Sequence, residues 1–421
     1  MRTTLFHIPT EVAGLPLFGF GLLLAVWAVV SLGILLVLVR RQGFNADTRS
    51  HLPLLGLAGL VIAFLLPAIV KPEGLPIRGY GAMFLLGVVS GVGLAVYRAR
   101  RRGLDTELIY SLALWMIVAG LVGARLFYII EYWDRFQTGP LLSRLGAMVN
   151  VTEGGLVVYG SFLAVLPAMF YFARSHKLPI LALADLVAPS MLVGLALGRV
   201  GCFLNGCCFG GTCDLPWAVE FPFGSPPHQQ QVQDGRLFLH GLKLAADPAG
   251  HPIVREVEPG SPATAAGLAE RQQVREIDGR QTDTLDEAMF ALMDVQGEGR
   301  AVSIVTAESP QAKTFVLPAA PERSLPIHPA QLYSTLDAVI ICFFLLAYDP
   351  FRRRDGELLA LLITIYPVTR FLIEIIRTDE GPVFQTGLSI SQNVSLLLLV
   401  VAAGLWYYVR RQPRGVAGGA V

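Results

Sequence analysis

The chain has 421 residues, 53% of them hydrophobic and 15% charged, with a formal net charge of +1 and a mean hydropathy of +0.56. These values exclude an ordinary soluble globular protein and describe a polytopic membrane protein. A near-neutral charge leaves no electrostatic footprint for nucleic acid, and five cysteines are too few for a disulfide scaffold.

Residues 17–39 form the first apolar stretch, long enough to cross a bilayer at about 1.5 Å per residue. The stretch does not read as a cleaved signal peptide, because Arg40 and Arg41 follow it and no small-residue cleavage site comes after. Further spans are expected at 53–70, 79–96, 108–130, 156–173 and 182–204, then at 332–348, 358–376 and 390–409, about nine in all. Arginines and lysines concentrate in alternate loops: Arg40/Arg41/Arg49, Arg98/Arg100/Arg101/Arg102, Arg174/Lys177, Arg352/Arg353/Arg354 and Arg410/Arg411/Arg414. That alternation predicts an N-terminus outside, a C-terminus in the cytoplasm and the polar region on the outer face. The stretch starting Leu15-Pro16-Leu17-Phe18-Gly19 is echoed by Leu75-Pro76-Ile77-Arg78-Gly79, so the first two spans read as an added pair.

The polar region is expected to be a domain of its own. It carries alternating runs beginning at Ile253, Val274 and Ala301, and Thr284 is placed to cap a helix from Leu285 with Glu287 completing a capping box. Glu258-Pro259-Gly260-Ser261-Pro262-Ala263, then Ala266-Gly267-Leu268, then Ile277-Asp278-Gly279 resemble a PDZ domain. That resemblance implies that Gly241, Leu242, Lys243 and Leu244 form a loop holding a peptide terminus, with the peptide adding a strand to the sheet. Arg271-Gln272 stand where the usual Gly-Asp would follow, and a merely bracing module is the other reading.

Residues 194–210 organise the rest. Arg199 lies inside an apolar run with no charged neighbour within ten residues. An arginine in a bilayer costs about 3 kcal/mol or more, so it needs a partner or an anion. Gly194, Gly198 and Gly201 surround it at helical spacing and permit close approach. Asn205 and Gly206 should end the helix. The functional reading is an anion site, most simply a lipid phosphate; the bland one is an arginine snorkelling to the interface.

Arg370, Glu374 and Arg377 share a helix face at i, i+4 and i+7, either as a self-contained ionic stripe or with Glu374 neutralising one arginine. Arg125 follows Gly123 in an apolar span and has its own snorkelling alternative. Tyr159 sits in Glu153-Gly154-Gly155-Leu156-Val157-Val158-Tyr159-Gly160, where an aromatic anchor is the ordinary role. His328-Pro329-Ala330-Gln331-Leu332-Tyr333 opens the seventh span.

Taken together these motifs resemble the prolipoprotein diacylglyceryl transferase family, over roughly residues 77–211 and 327–410. The strongest match is Gly198-Arg199-Val200-Gly201-x-Phe203-x-Asn205-Gly206. Supporting matches are Tyr80-Gly81-x-Met83, Gly123-x-Arg125, the Glu153 to Gly160 run, the His328 to Tyr333 run and Tyr366-x-x-x-Arg370-x-x-x-Glu374-x-x-Arg377. The resemblance implies a bacterial inner-membrane enzyme. It would move diacylglyceryl from phosphatidylglycerol to the lipobox cysteine of an exported precursor, releasing glycerol 1-phosphate. It implies catalytic roles for Arg199, Arg370, Glu374 and Tyr159. Substrate contacts would come from Arg199, Tyr80, Arg125, Asn205, Gly206, His328, Gln331, Tyr366 and Arg377. No metal or organic cofactor is expected.

Three departures stand out. Tyr159 occupies the family's histidine position, Cys202 its first signature asparagine and Cys207 its acidic residue. A tyrosine of ordinary pKa ~10 is a poor base at neutral pH, so Glu374 becomes the candidate proton acceptor. A disulfide from Cys213 to Cys207 or Cys208 is the favoured reading of the cysteine cluster; a metal site ranks below it, because the spacing is not a paired Cys-x-x-Cys set. Cys342 reads as core.

The expected architecture is therefore an all-α polytopic membrane bundle with an inserted extracytoplasmic α/β PDZ-like domain. Its parts are an added transmembrane pair (1–74), a first core part (75–221), the insert (222–322) and a second core part (323–421). The rival readings are a non-catalytic lipid-binding relative whose insert binds exported peptides, and the same lipid chemistry with another acceptor.

Overall fold

The computed structural model describes residues 4–70, 72–137, 140–150, 154–295, 300–317, 323–378, 381–383 and 385–415. The chain divides into two compact units, Arg2–Ala82 and Met83–Val421.

In the first unit, β1 (Thr4–Ile8) and the short hairpin strands β2 (Glu11–Val12) and β3 (Leu15–Pro16) precede α1 (Leu22–Gln42). Next come α2 (Ala46–Leu60), a π-helical turn (Val61–Leu65), α3 (Leu66–Ile69) and β4 (Leu75–Arg78), which pairs antiparallel with β1. The Trp27 indole donates to the Leu55 carbonyl at 3.2 Å, and the Phe20 and Phe64 rings meet edge to face. Pro67 has no N–H for the carbonyl four residues back, and the helix widens into the π turn just before it. The two echoed stretches are alike in structure: each is a short strand leading into an apolar helix.

α4 (Gly79–Arg101) leads into the second unit. There α5 (Thr106–Glu131), α6 (Leu141–Val149), α7 (Val158–Ser175) and α8 (Ile180–Asn205) follow. Asp105 caps α5 by accepting from the Glu107 amide. Gly123 and Gly160 set the α5–α7 contact: a Cβ on Gly160 would lie 2.3 Å from the Gly123 carbonyl oxygen. Gly87 and Gly91 give α4 the same close approach to α8, at Gly194 and Ser190. One apolar core joins α4, α5, α7 and α8 around Leu112, Phe172 and Leu186.

After α8 the chain forms α9 (Pro226–Gln233) and a strand-rich segment: β5 (Leu242–Ala246), β6 (Pro252–Val257), α10 (Pro262–Ala265), β7 (Val274–Ile277), β8 (Arg280–Gln281), α11 (Leu285–Asp294), β9 (Ala301–Thr306) and β10 (Ser309–Val316). β5 and β6 pair with each other, and the other four strands run in the order β10-β9-β7-β8. The alternating runs seen in the sequence are β6, β7 and β9, and Thr284 and Glu287 make the anticipated capping box on α11. These elements enclose their own apolar core, including Leu242, Val254, Ile277, Leu292 and Ile304.

The last helices are α12 (Ala330–Tyr348), α13 (Glu357–Ile375) and α14 (Ile390–Arg411). α12 and α13 bury Ile341, Leu345 and Leu358 against Ala188 and Leu192 of α8. Among the described residues, seven helices are long and apolar enough to cross a membrane: α1, α4, α5, α8, α12 with its following turn, α13 and α14. The other two expected spans differ. The apolar helix Leu55–Ile69 is shorter, and α7 has 18 residues and includes Pro167 and Arg174.

One end of α8 holds an ionic network that the sequence pattern does not reveal. Asp185, fully buried, accepts from the Gly356 and Leu359 amides at 2.8 and 2.9 Å and from Arg352 Nη1 at 3.2 Å. Arg98 and Arg102 bond Asp349 at 3.0 and 2.8 Å, and Arg98 also donates to the Asp185 carbonyl. The network joins the ends of α4, α8, α12 and α13.

Candidate active site

Arg199 lies near the other end of α8, about 21 Å from Asp185 at 1.5 Å per residue. It is half-buried and lies within electrostatic reach of Tyr366, Cys208, Cys202 and Arg377. As anticipated, α8 ends at Asn205, and Gly206 supplies the left-handed C-cap (φ 78°), with its amide on the Cys202 carbonyl at 2.8 Å. Asn205 is exposed and Gly206 buried.

The following loop is pinned between the start of α12 and the end of α13. Gln331, fully buried, donates to the Cys207 carbonyl at 2.7 Å. The Gly210 amide donates to the His328 carbonyl at 3.0 Å, and the Gly211 amide to the Ile376 carbonyl at 2.8 Å. A Cβ on Gly210 would lie 2.6 Å from that of His328, so glycine is required where the three segments meet. His328 Nδ1 sits 3.4 Å from the Tyr333 hydroxyl, which accepts from the Trp217 indole at 2.7 Å.

Glu374 is the hub of the second group. One carboxylate oxygen accepts from Arg370 Nη1 and, at 3.1 Å, from Arg377 Nη1. The other accepts from the Ser389 hydroxyl at 2.9 Å. Arg370 also donates to the Ser391 hydroxyl at 2.8 Å. The i, i+4, i+7 spacing therefore produces an ion triad joined to the first turn of α14. Tyr366 lies one turn earlier on α13 and is near enough to Arg199 to interact with it electrostatically.

Other expected residues have different tasks. The Arg125 guanidinium donates to four backbone carbonyls, those of Met148, Ala147, Gly154 and Gly155, at 2.7–2.9 Å. Its ring partner is Tyr128, 5.1 Å from the ring centre. Through these bonds it organises the loop before α7. Tyr159 stands half-buried in the first turn of α7. Tyr80 is exposed at the start of α4, in the first unit. Glu153 lies outside the described residues.

The anticipated peptide-holding loop is also committed internally. Gly241 is left-handed (φ 81°), and the Leu242 amide donates to the Leu239 carbonyl at 3.0 Å. The Leu242 and Leu244 side chains belong to the apolar core. Lys243 pairs with Glu256 at 2.8 Å and lies over the Phe238 ring.

All five cysteines are free thiols, and no disulfide joins Cys213 to Cys207 or Cys208. The Cys202, Cys207 and Cys208 sulfurs instead converge, all within 4.8 Å of one another, without Cys213. The reason is the helix cap: after Gly206 the chain reverses over the last turn of α8, which carries Cys202. Hydrogen bonds from Cys202 and Cys207, aided by the charges of Arg199 and Arg377, hold the Cys208 thiol far below the usual thiol range. Cys208 is also left-handed (φ 60°), a conformation that costs a non-glycine residue about 1–3 kcal/mol.

The family model for "Prolipoprotein diacylglyceryl transferase" matches residues 67–408. A phosphatidylglycerol–prolipoprotein diacylglyceryl transferase of Rhodopirellula baltica is 34% identical over 96% of this chain and 88% of its own length. The Clostridium tetani protein of the same name is 25% identical over 80% of this chain and 94% of its own. That of Geobacter sulfurreducens is 36% identical over 41% of this chain and 66% of its own. The chain belongs to the prolipoprotein diacylglyceryl transferase family.

Proposed function

We propose that this protein transfers the diacylglyceryl group of phosphatidylglycerol to the lipobox cysteine thiol of exported prolipoproteins, releasing glycerol 1-phosphate. The observation that carries this reading is the grouping of Arg199 with the Arg370–Glu374–Arg377 triad, where apolar helices end. The carbon–oxygen bond that breaks leaves charge on a phosphate oxygen, and guanidinium groups oriented before the reaction stabilise that charge without reorganising. Arg199 and Arg370 are assigned to the phosphate, with Arg377, Tyr366, His328, Gln331, Asn205 and Gly206 bounding the substrate. Glu374 is assigned to holding the arginines in place, because both of its oxygens already accept from Arg370, Arg377 and Ser389. Tyr159 is assigned a hydrogen bond to substrate.

The lipid enters sideways from the bilayer and the precursor from the outer face of the bacterial inner membrane. Crossings by α7 and by residues 55–69 would make nine spans, and the loop charges then put the N-terminus outside and the C-terminus in the cytoplasm. The segment 222–322 is read as a PDZ-like module. Among the described residues β6 is the only strand paired with β5, and beyond the Leu239–Leu242 bridge the other edge of β5 is the place for an added peptide strand.

The test is a transfer assay with purified protein, phosphatidylglycerol and a lipobox peptide, beside Arg199→Ala. Thioether product that disappears in the variant is expected. Folded protein that binds phosphatidylglycerol yet makes no product would instead favour a lipid-binding relative without transferase activity.

A further inference from the structure

We propose that Cys202, Cys207 and Cys208 form a site for a thiophilic divalent cation, zinc first of all, whose fourth position takes the acceptor thiol of the transfer reaction. The second half of this statement rests on the transferase reading above.

The three sulfurs lie within 4.8 Å of one another. Tetrahedral zinc with Zn–S bonds of about 2.3 Å sets its sulfurs about 3.8 Å apart. The cluster needs only a small contraction to close on an ion. Its backbone is already built for that: the Gly206 cap turns the chain back over Cys202, Gln331 fixes the Cys207 carbonyl at 2.7 Å, and Gly210 and Gly211 are tied to α12 and α13. Cys208 is held left-handed, a strained conformation found where structure has been arranged around a site. The three side chains are half-buried, so the cluster has an open side.

Three protein ligands with an open fourth position are the pattern of catalytic zinc, whereas structural zinc is closed by four. Three thiolates around a divalent cation carry a net negative charge, and Arg199 and Arg377 stand beside them to offset it. The same arrangement puts the incoming thiol next to the arginines assigned to the phosphate. It also supplies a route to the thiolate: Glu374 already accepts from three donors, whereas a thiol bound to the cation is deprotonated outright.

The step balances without a redox change. The acceptor thiol loses its proton to solvent on coordination. Its sulfur lone pair forms a bond to the glyceryl carbon as the carbon–oxygen ester bond breaks. The bonding electrons go to the phosphate oxygen. The resulting neutral thioether is a poorer ligand and leaves the cation.

The experiment uses full-length protein, purified under reducing conditions and titrated with Co²⁺. A thiolate-to-cobalt charge-transfer band with tetrahedral d–d bands is expected, saturating at about one ion per chain. Cys208→Ser should abolish the band, and Cys202→Ser and Cys207→Ser should each weaken binding at least tenfold. Cys213→Ser should leave it unchanged. A lipobox peptide should shift the d–d bands, and the same peptide with serine for cysteine should not. Thermal midpoints measured without metal separate lost binding from lost folding. Wild-type protein without the band overturns the site, and so does a catalytically active form carrying a disulfide among these three cysteines. Bands unmoved by the peptide overturn the acceptor role. Bands moved by the peptide with no thioether formed uphold the site and refute the transferase reading instead.

Discussion

Replacing Glu374 by glutamine separates its two candidate roles. The carboxylate side chain is 2% exposed, and the two arginine side chains it bridges are 10% and 4% exposed. Solvent therefore screens little of the interaction. Removing one partner of a buried ion pair costs about 3–5 kcal/mol, because the remaining charges stay buried and unpaired. Glutamine keeps one acceptor oxygen, which places the expected loss near the lower end, about 3 kcal/mol. Arg370 and Arg377 would then repel one another and lose their shared orientation. The assays are thermal unfolding in detergent, phosphatidylglycerol binding and a pH profile of transfer. The expected result is a lower unfolding midpoint, weaker lipid binding and a loss of transfer that persists at raised pH. An unchanged midpoint and unchanged lipid binding, with turnover recovered by raising the pH, would refute this reasoning and make Glu374 the proton acceptor.

Gly160→Ala forces a Cβ to within 2.3 Å of the Gly123 carbonyl oxygen and 2.4 Å of the Phe127 Cβ. A loss of at least about 1–3 kcal/mol is expected, seen as a lower thermal midpoint, and a stable variant would show that the helices separate freely. Asp185→Asn leaves Arg352 short of its fully buried partner. Arg352 keeps Asp349 at 3.3 Å, so the expected loss is about 1–3 kcal/mol, chiefly from the amide left without its carboxylate acceptor. Phosphatidylglycerol affinity should stay unchanged, since Arg199 is about 21 Å away along α8; a selective loss of affinity would contradict a purely structural role. Within segment 222–322, burial pushes His228 and His240 below the ordinary histidine range. The unfolded segment then binds more protons, so stability is full above about pH 6.5 and falls as pH drops toward the folded-state values. Hydrogen exchange in β6, β7 and β9, corrected for intrinsic rate, should accelerate over that window, and flat protection would count against the assignment.

Much of the molecule was legible locally. Helix ends, caps and shared faces depend on residues three or four apart, and the chain states these directly. Thr284 and Glu287 form their capping box, Gly206 ends α8, and Arg370, Glu374 and Arg377 meet on one face. What tertiary structure decided involves partners far apart in sequence. Arg352 reaches Asp185 across 167 residues, and Arg98 reaches Asp349 across 251. Spacing cannot tell which helix ends will adjoin, so a charge beside an apolar span looks alike whether it faces lipid headgroups or a buried partner. Arg125 illustrates the limit: the sequence shows an arginine in an apolar span, and only the folded loop supplies the four carbonyls its guanidinium bonds. Spacing likewise separates Cys202 from Cys207 and Cys208, and only the reversal of the chain over the helix end draws their three sulfurs together.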